Sequence, residues 1–294
     1  MTTVFEVMSG VIGIVAFEVV TVRAGSPSGS LRATFLDVGQ GDAALVDLPD
    51  GEAILIDGGG LVGSPVDTGT RVIAPTLRDR RRRSLAAVVL SHPHPDHFTG
   101  LVSGLAGIAV GALWDTGQGE REAVGGGYAA LLANMREAHV PILRPDTLCG
   151  AHAMGGATVE VLAPCPGPTP DRGPNDNSLV VRVTYGSRSF LFVGDSEHEA
   201  EHDLLALGAA RLHADVLKVG HHGSRTSSTA PFIAAVAPTY AVISTGVRNR
   251  FGHPHPNTLH VLHEAGVHVF RTDADGAVTA WTDGTRLEVR SEGP

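Results

Sequence analysis

From Leu31 onward the chain alternates short apolar runs with turn-forming segments. Arg32–Leu36, Ala43–Val46 and Ala53–Ile56 predict three successive strands, with Pro49-Asp50-Gly51 closing a hairpin between the last two. Helical spacing over Thr70–Arg83 is followed by Leu85–Leu90, a continuous apolar run of the kind a buried strand needs. Ala109–Leu113 predicts another strand and Tyr128–Ala138 another helix. Leu148–Pro174, rich in Pro and Gly, reads mostly as loop around a strand at Thr158–Leu162. Ser178–Thr184 and Ser189–Val193 form a second hairpin bent at Tyr185-Gly186. A helix over 197–207, strands over 214–219 and 239–243, a helix over 257–265 and three short strands complete a mixed α+β pattern without a repeat of fixed period.

Composition adjusts this picture in three places. With 294 residues and 43% hydrophobic positions, the chain can bury a full core. Residues 4–22 are apolar on average, but Glu6 and Glu18 interrupt them and neither Lys nor Arg precedes Arg23. That pattern matches neither a signal peptide nor a stand-alone spanning helix, and leaves either the end of a membrane helix or an element packed elsewhere. Gly25–Ser30 then reads as a linker, giving an N-terminal segment 1–30 and a folded domain 31–294. The net charge is −9 with Lys218 as the single lysine, so a polyanion must be met by local arginine or by metal. Arg78–Arg83, broken only by Asp79, is the dense positive run and reads as a solvated helix end. Cys149 and Cys165 are read as small loop residues; pairing would require an oxidising compartment.

Candidate chemistry concentrates after the apolar run at 85–90. Ser91–Gly100 reads SHPHPDHFTG, placing His92, His94, Asp96 and His97 directly after a strand. His92 and His94, two apart on an extended segment, point to one side, and Pro93 and Pro95 stiffen the loop. Imidazole and carboxylate together suit a borderline divalent cation. Two pairs are available for two ions, His92 with His94 and Asp96 with His97. Two further strands end in matching chemistry: Phe190–Val193 runs into Gly194-Asp195, and Val216–Val219 runs into Gly220-His221-His222-Gly223-Ser224. Together they complete a two-metal site in which Asp195 bridges and one histidine of the pair closes the shell.

These motifs, in this order, resemble the metallo-β-lactamase superfamily. A finer set is similar to the C-terminal hydrolase domain of ComEC-type competence proteins: Phe35–Asp42 (FLDVGQGD), Leu55–Gly59 (LIDGG), Asn175 with Ser178-Leu179-Val180, His221–Ser224, and Phe251–Pro256 (FGHPHP) followed by Arg271-Thr272-Asp273. The resemblance implies an αββα four-layer sandwich with the metals at one edge between two sheets. It also implies a metal-dependent hydrolase. One departure stands out: where many members carry a metal-binding histidine before the Gly-Asp motif, this chain offers Asn175, Asp176 and Asn177. That predicts a weaker second metal and a site open to Mn2+ as well as Zn2+.

The expected roles follow. His92, His94, Asp96, His97, Asp195 and His222 ligate metal, with His221 as the alternative to His222. Ions a few ångströms apart lower the pKa of a shared water toward about 7 for attack on phosphorus. Asp96, His221 and Asp57 are the catalytic candidates: Asp57 orients the histidine loop, and His221 contacts phosphate or protonates the leaving oxygen. Asn175, Ser178, Ser224 and His253 are expected to bind substrate, and Asp37 and Asp42 to edge the site. The leading expectation is a nuclease acting on single-stranded DNA during uptake, attached to a membrane channel on its extracytoplasmic face, or otherwise a soluble cytoplasmic protein. The alternatives are a hydrolase of a small phosphodiester, ester or lactam, favoured by the acidic charge and 5% aromatic content, and a metal-holding module that binds DNA or a partner without catalysis.

Overall fold

The computed structural model describes residues 28–60 and 65–293. The expectations for residues 4–22 and for the first half of the linker, 25–27, lie outside the described residues. The chain forms two large sheets. The first begins with β1 (Leu31–Phe35), β2 (Ala44–Asp47), β3 (Ala53–Ile56), β4 (Ala87–Val89), β5 (Leu113–Trp114) and β6 (Ile142–Leu143). The second comprises β7 (Gly150–Met154), β8 (Ala157–Ala163), β9 (Val180–Tyr185), β10 (Arg188–Phe192), β11 (Val216–Lys218), β12 (Tyr240–Ile243) and β13 (His268–Arg271). The chain then returns to the first sheet with β14 (Val278–Thr282) and β15 (Leu287–Ser291). The spatial orders are β15-β14-β1-β2-β3-β4-β5-β6 and β13-β12-β11-β10-β9-β8-β7. In each sheet antiparallel strands give way to parallel ones, at β3 with β4 and at β10 with β11.

Alternation along these strands builds the layers. Ile54 and Ile56 of β3 face the second sheet with Val46 and Val89, opposite Val159, Val181 and Phe190, and Phe35 stacks on Phe192 at 5.7 Å. The intervening Leu55, with Leu45 and Val88, faces outward onto Ile73, Leu77, Phe98, Leu101 and Leu131. On the far side Leu191, Leu217 and Ala241 pack on Leu204, Phe232, Ile233 and Leu262. Both faces of the central strands of both sheets are thus buried, which explains why those strands read as continuous apolar runs. Helix, sheet, sheet and helix make the expected αββα sandwich.

Three local expectations change. The helix expected over 70–83 starts as a π-helical turn at Gly69–Ile73 and ends at Asp79. Arg82 then turns inward, 7% exposed, and its guanidinium pairs with the buried carboxylate of Asp47, which also receives Arg32 Nε at 2.7 Å. The arginine run is therefore not uniformly a solvated helix end. The run 85–90 divides, because Ser84–Leu85 pairs with Ala109–Val110 in a separate ribbon before β4 begins. The segment 148–174 holds the β7–β8 hairpin, and Cys149 and Cys165 form a disulfide rather than remaining separate loop residues. The bridge joins the chain before β7 to the chain after β8, ends that the hairpin already brings together.

Candidate metal centre

The site forms where parallel strand ends from the two sheets meet. β3 runs into Asp57, and β4 runs into the histidine loop, which continues as the helix Pro95–Gly104 with His94 at its N-cap. Glycine lets this helix sit directly on the end of β3. A Cβ on Gly100 would fall 2.1 Å from the Gly58 carbonyl, and one on Gly41 would fall 2.3 Å from the Asp96 carbonyl. The Gly58 N–H donates to the His97 carbonyl at 2.7 Å. In the second sheet β10 delivers Asp195 and β11 delivers the histidine pair. His221 and His222 both adopt left-handed backbone, at φ 45° and 53°, an uncommon conformation for residues other than glycine, and both rings are turned toward the same centre.

Asp195 Oδ2 is the hub. It lies 3.3 Å from His97 Nε2, 3.4 Å from His222 Nε2, 3.8 Å from His92 Nε2 and 3.9 Å from His221 Nε2. Asp96 Oδ2 is 3.3 Å from His222 Nε2, so Asp96, His97, Asp195 and His222 place one ligand atom each within 4.8 Å of one another. His92 Nε2 faces His94 Nδ1 at 3.0 Å. The Nε2 atoms of His97 and His222 and Asp195 Oδ1 are buried without a hydrogen bond. Orphaned donor atoms converging in this way are costly unless something fills the space, and nitrogen with carboxylate oxygen is the donor set of a divalent transition ion. The residues fit such an ion.

Surrounding groups fix each ring. Asp57 Oδ1 accepts the Ser91 N–H at 2.8 Å while Oδ2 holds His97 Nδ1 at 2.9 Å. Ser91 Oγ stands between His92 Nδ1 at 3.1 Å and His97 Nδ1 at 3.2 Å. His222 Nδ1 donates to the Ser244 carbonyl at 3.0 Å and lies 3.3 Å from Asp42 Oδ1. Burial disfavours charge on His97 and His222, but Asp195, with Asp57 beside the first and Asp42 beside the second, outweighs it and holds both imidazoles well above their usual range. Burial, with His97 adjacent, pushes His92 well below that range. Asp195 is itself buried, yet His222 and His97 keep its carboxyl far below the usual carboxylate value. In the metal-free chain, protons on two imidazoles supply the positive charge that these carboxylates demand.

The model of the metallo-beta-lactamase superfamily matches residues 36–247, a span that contains every one of these groups. The chain belongs to that superfamily. Among curated relatives of this chain are ComE operon protein 3 of Bacillus subtilis, 32% identical over 83% of the chain and 32% of the relative, and competence protein ComA of Neisseria gonorrhoeae, 31% identical over 86% and 32%. Recombination protein 2 of Haemophilus influenzae is 31% identical over 87% and 29%. The chain thus spans about a third of the length of the curated relatives it matches. The solved structure of CmlA, a diiron beta-hydroxylase from Streptomyces venezuelae, overlays with a TM-score of 0.53 at 14% identity, covering 83% of this chain and 53% of that one; the likeness is one of fold. The chain is thus a member of the superfamily with competence-protein relatives and a cluster of residues suited to a divalent metal.

The remaining expected site residues divide. Asp42 lies inside the superfamily site, paired through Oδ2 with the Lys218 ammonium, whereas Asp37 is exposed and accepts only the Gly39 N–H at 3.0 Å within its own turn. Among the described residues no hydrogen bond or ion pair links Asp37 to the histidine cluster. Ser178 is 1% exposed; its hydroxyl stands between the Asp195 N–H at 3.1 Å and His92 Nδ1 at 3.4 Å, a place that supports the ligands and does not suit substrate contact. Ser224 Oγ pairs with Thr226 Oγ1 at 2.9 Å, and the Asn175 amide reaches Glu197 while its Oδ1 is buried without a partner. His253 packs beside both histidines of the pair, at 5.6 Å from His221 and 6.3 Å from His222, and burial with His222 and His221 nearby lowers it to about 4.

Sequence reasoning missed three groups. Glu197 Oε1 takes His221 Nδ1 at 2.6 Å, and that hydrogen bond keeps its carboxyl below the usual range. Lys218, noted only as the single lysine, is 3% exposed and directed at Asp42. Gln40 accepts from Thr245 Oγ1 and the Gly246 N–H, both at 3.3 Å, so FLDVGQGD ties the first sheet to loops of the second. A lysine alone in an apolar strand was the available signal for Lys218. Among the described residues no helix is long and apolar enough to cross a membrane.

Proposed function

We propose that this chain is a divalent-metal-dependent phosphodiesterase that cuts single-stranded DNA in competence-type uptake, beside a membrane channel and on its extracytoplasmic face. The observation that carries the reading is Asp195 Oδ2, a single oxygen within 3.9 Å of imidazole nitrogens from both histidine motifs, the position a bridging carboxylate occupies. Asp96, His97, His222 and Asp195 would hold one ion, and His92 and His94 with Asp195 would hold the other. The second set is poorer in donors because Asn175 turns to Glu197, so its ion exchanges more readily and Mn2+ serves as well as Zn2+. Bound there, divalent ions activate water and neutralise charge developing on phosphorus.

The chain's own groups do the rest. His221 gives Nδ1 to Glu197, which leaves Nε2 facing the centre to protonate the departing oxygen. Ser224, Asn175 and His253 line the rim and orient the phosphate. The names of the competence relatives support DNA uptake, and the Cys149–Cys165 disulfide supports an oxidising, extracytoplasmic setting.

Purified protein incubated with single-stranded DNA and Mn2+ is expected to cleave it, with loss of cleavage in EDTA and in His94→Ala. DNA left intact under all conditions sinks the reading. The net charge of −9 favours a second reading, hydrolysis of a small phosphodiester, ester or lactam. Turnover of bis-(p-nitrophenyl) phosphate or nitrocefin without any turnover of DNA would select it.

A further inference from the structure

Apart from His253, the loop Gly246–His255 beside the centre is assigned no role by the metal chemistry. Among the described residues the large exposed hydrophobic side chains are Val66, Val247 and Phe251, and two of them sit on this loop, Val247 at 69% and Phe251 at 47% exposure. Exposed Arg248 and Arg250 flank them in a chain whose net charge is −9. The loop is nevertheless tightly ordered. Asn249 Nδ2 donates to the carbonyls of His253 at 2.6 Å and Gly246 at 3.0 Å, while its Oδ1 accepts the N–H groups of Phe251 at 3.2 Å and His253 at 3.0 Å. Gln40 fixes the loop's base, and the His255 N–H donates to the Gly223 carbonyl at 2.8 Å.

This scaffold aligns rings. Phe251 lies 5.9 Å from His253 with planes 26° apart, and His253 lies 6.3 Å from His222 with planes 28° apart. A near-parallel series of rings therefore runs from an exposed phenyl group to a ligand of the proposed metal. The Arg250 guanidinium rests 5.1 Å from the centre of the Phe251 ring.

We propose that Gly246–His255 is a base-stacking platform for single-stranded DNA. A nucleobase takes the outer face of Phe251, the Arg250 guanidinium moves from over the ring to an adjoining phosphate, and Arg248 meets the next one. The adjoining phosphodiester is thereby seated on the histidine cluster. An aromatic ring combined with local arginine is the arrangement that holds single strands without reading their sequence, because every base offers a π face and every linkage a charge. A protein partner would use the apolar surface without needing rings aligned toward a hydrolytic centre. The proposal rests on the phosphodiesterase reading, and its test separates the two.

Stopped-flow anisotropy on the Mn2+-loaded chain compares an oligothymidylate with an abasic oligomer of equal length. Wild type is expected to bind the oligothymidylate about tenfold more tightly, Phe251→Ala to lose that preference, and Phe251→Trp to restore it. Arg248→Ala and Arg250→Ala should each flatten the salt dependence, by about 0.7 in the log–log slope. Equal binding of the two oligomers by wild type, or a preference that survives in Phe251→Ala, overturns the proposal. Tight, Phe251-dependent binding without cleavage overturns the phosphodiesterase reading and leaves the stacking platform standing.

Discussion

The two halves of the molecule use one topological device to different ends. In each, a strand ending near an aspartate lies parallel to a strand leading into histidines: β3 with Asp57 beside β4, and β10 with Asp195 beside β11. Asp57 directs both oxygens to the histidine loop, at Ser91 N and His97 Nδ1, whereas Asp195 directs Oδ2 to the centre. The difference lies in which residue makes the left-handed turn. Asp57 makes it itself at φ 57°, with its N–H on the Val89 carbonyl, and the side chain folds over the neighbouring strand end. In the second half Gly194 turns at φ 55°, where a Cβ would fall 2.8 Å from Ser178 Oγ, and Asp195 is carried inward by the following step. Moving the turn by one residue separates a positioning carboxylate from a ligand.

The largest test of that contrast is Asp195→Ala. Loss of the hub should lower hydrolysis by more than the roughly 100-fold typical of removing a group that only orients a ligand. Steady-state rates and metal content by mass spectrometry would check it, and a variant retaining both its metals and its rate would break the comparison.

The halves are also pinned to each other. Lys218 of β11 pairs with Asp42, which precedes β2, and both are buried. Removing the ammonium in Lys218→Met leaves the buried Asp42 carboxylate with only the imidazoles of His222 and His97 beside it, and should destabilise the fold by up to about 3–5 kcal/mol. The double variant Lys218→Met with Asp42→Asn should recover much of that loss, because neither charge then remains. Chemical denaturation of the three variants decides it; no recovery in the double variant would mean that Lys218 acts through packing instead.

Asp57→Asn comes next in size. It keeps a group able to bond His97 but removes the charge, and should reduce metal affinity and rate by roughly 10–100-fold. An effect as large as that of Asp195→Ala would place Asp57 on the metal and erase the distinction between the halves.

That distinction marks the limit of what the sequence discloses. The gathering of His92, His94, Asp96, His97, Asp195 and the His221-His222 pair at one centre was legible because local spacing and a preceding apolar strand specify where such side chains emerge. Asp37 and Asp42 flank the same glycine-rich turn and look equivalent; only the approach of β11 across the sheets gives one of them Lys218 and leaves the other in water. Glu197 was lost in the same way, since nothing local ties it to His221. The αββα layering was legible through the motifs' resemblance to the superfamily, whereas the strand pattern alone reads only as mixed α+β. The turn into β7 and the Cys149–Cys165 bridge were not, because Gly and Pro mark turns without saying which strands they join.

The smallest effect concerns pH, and it again sets one half against the other. His97 and His222 are both held above the ordinary imidazole range in the metal-free chain, the first by Asp195 and Asp57 of the two halves, the second by Asp195 and Asp42. A raised folded-state value contributes stability that is fully present below the unfolded value of about 6.5 and is lost as pH rises through the raised value. Metal-free protein in EDTA should therefore melt at progressively lower temperature as pH increases above about 6.5, with each of the two protons contributing up to about 1.4 kcal/mol per pH unit. His92, pushed down by burial, is neutral in both states at that pH and does not oppose the trend. Divalent metal requires both imidazoles neutral, so with Mn2+ present the stabilisation should instead grow over the same range. His97→Gln and His222→Gln should each remove part of the metal-free slope. If the whole slope disappears with one of them and survives intact in the other, a single histidine carries the proton, and the two motifs are not equivalent neighbours of Asp195.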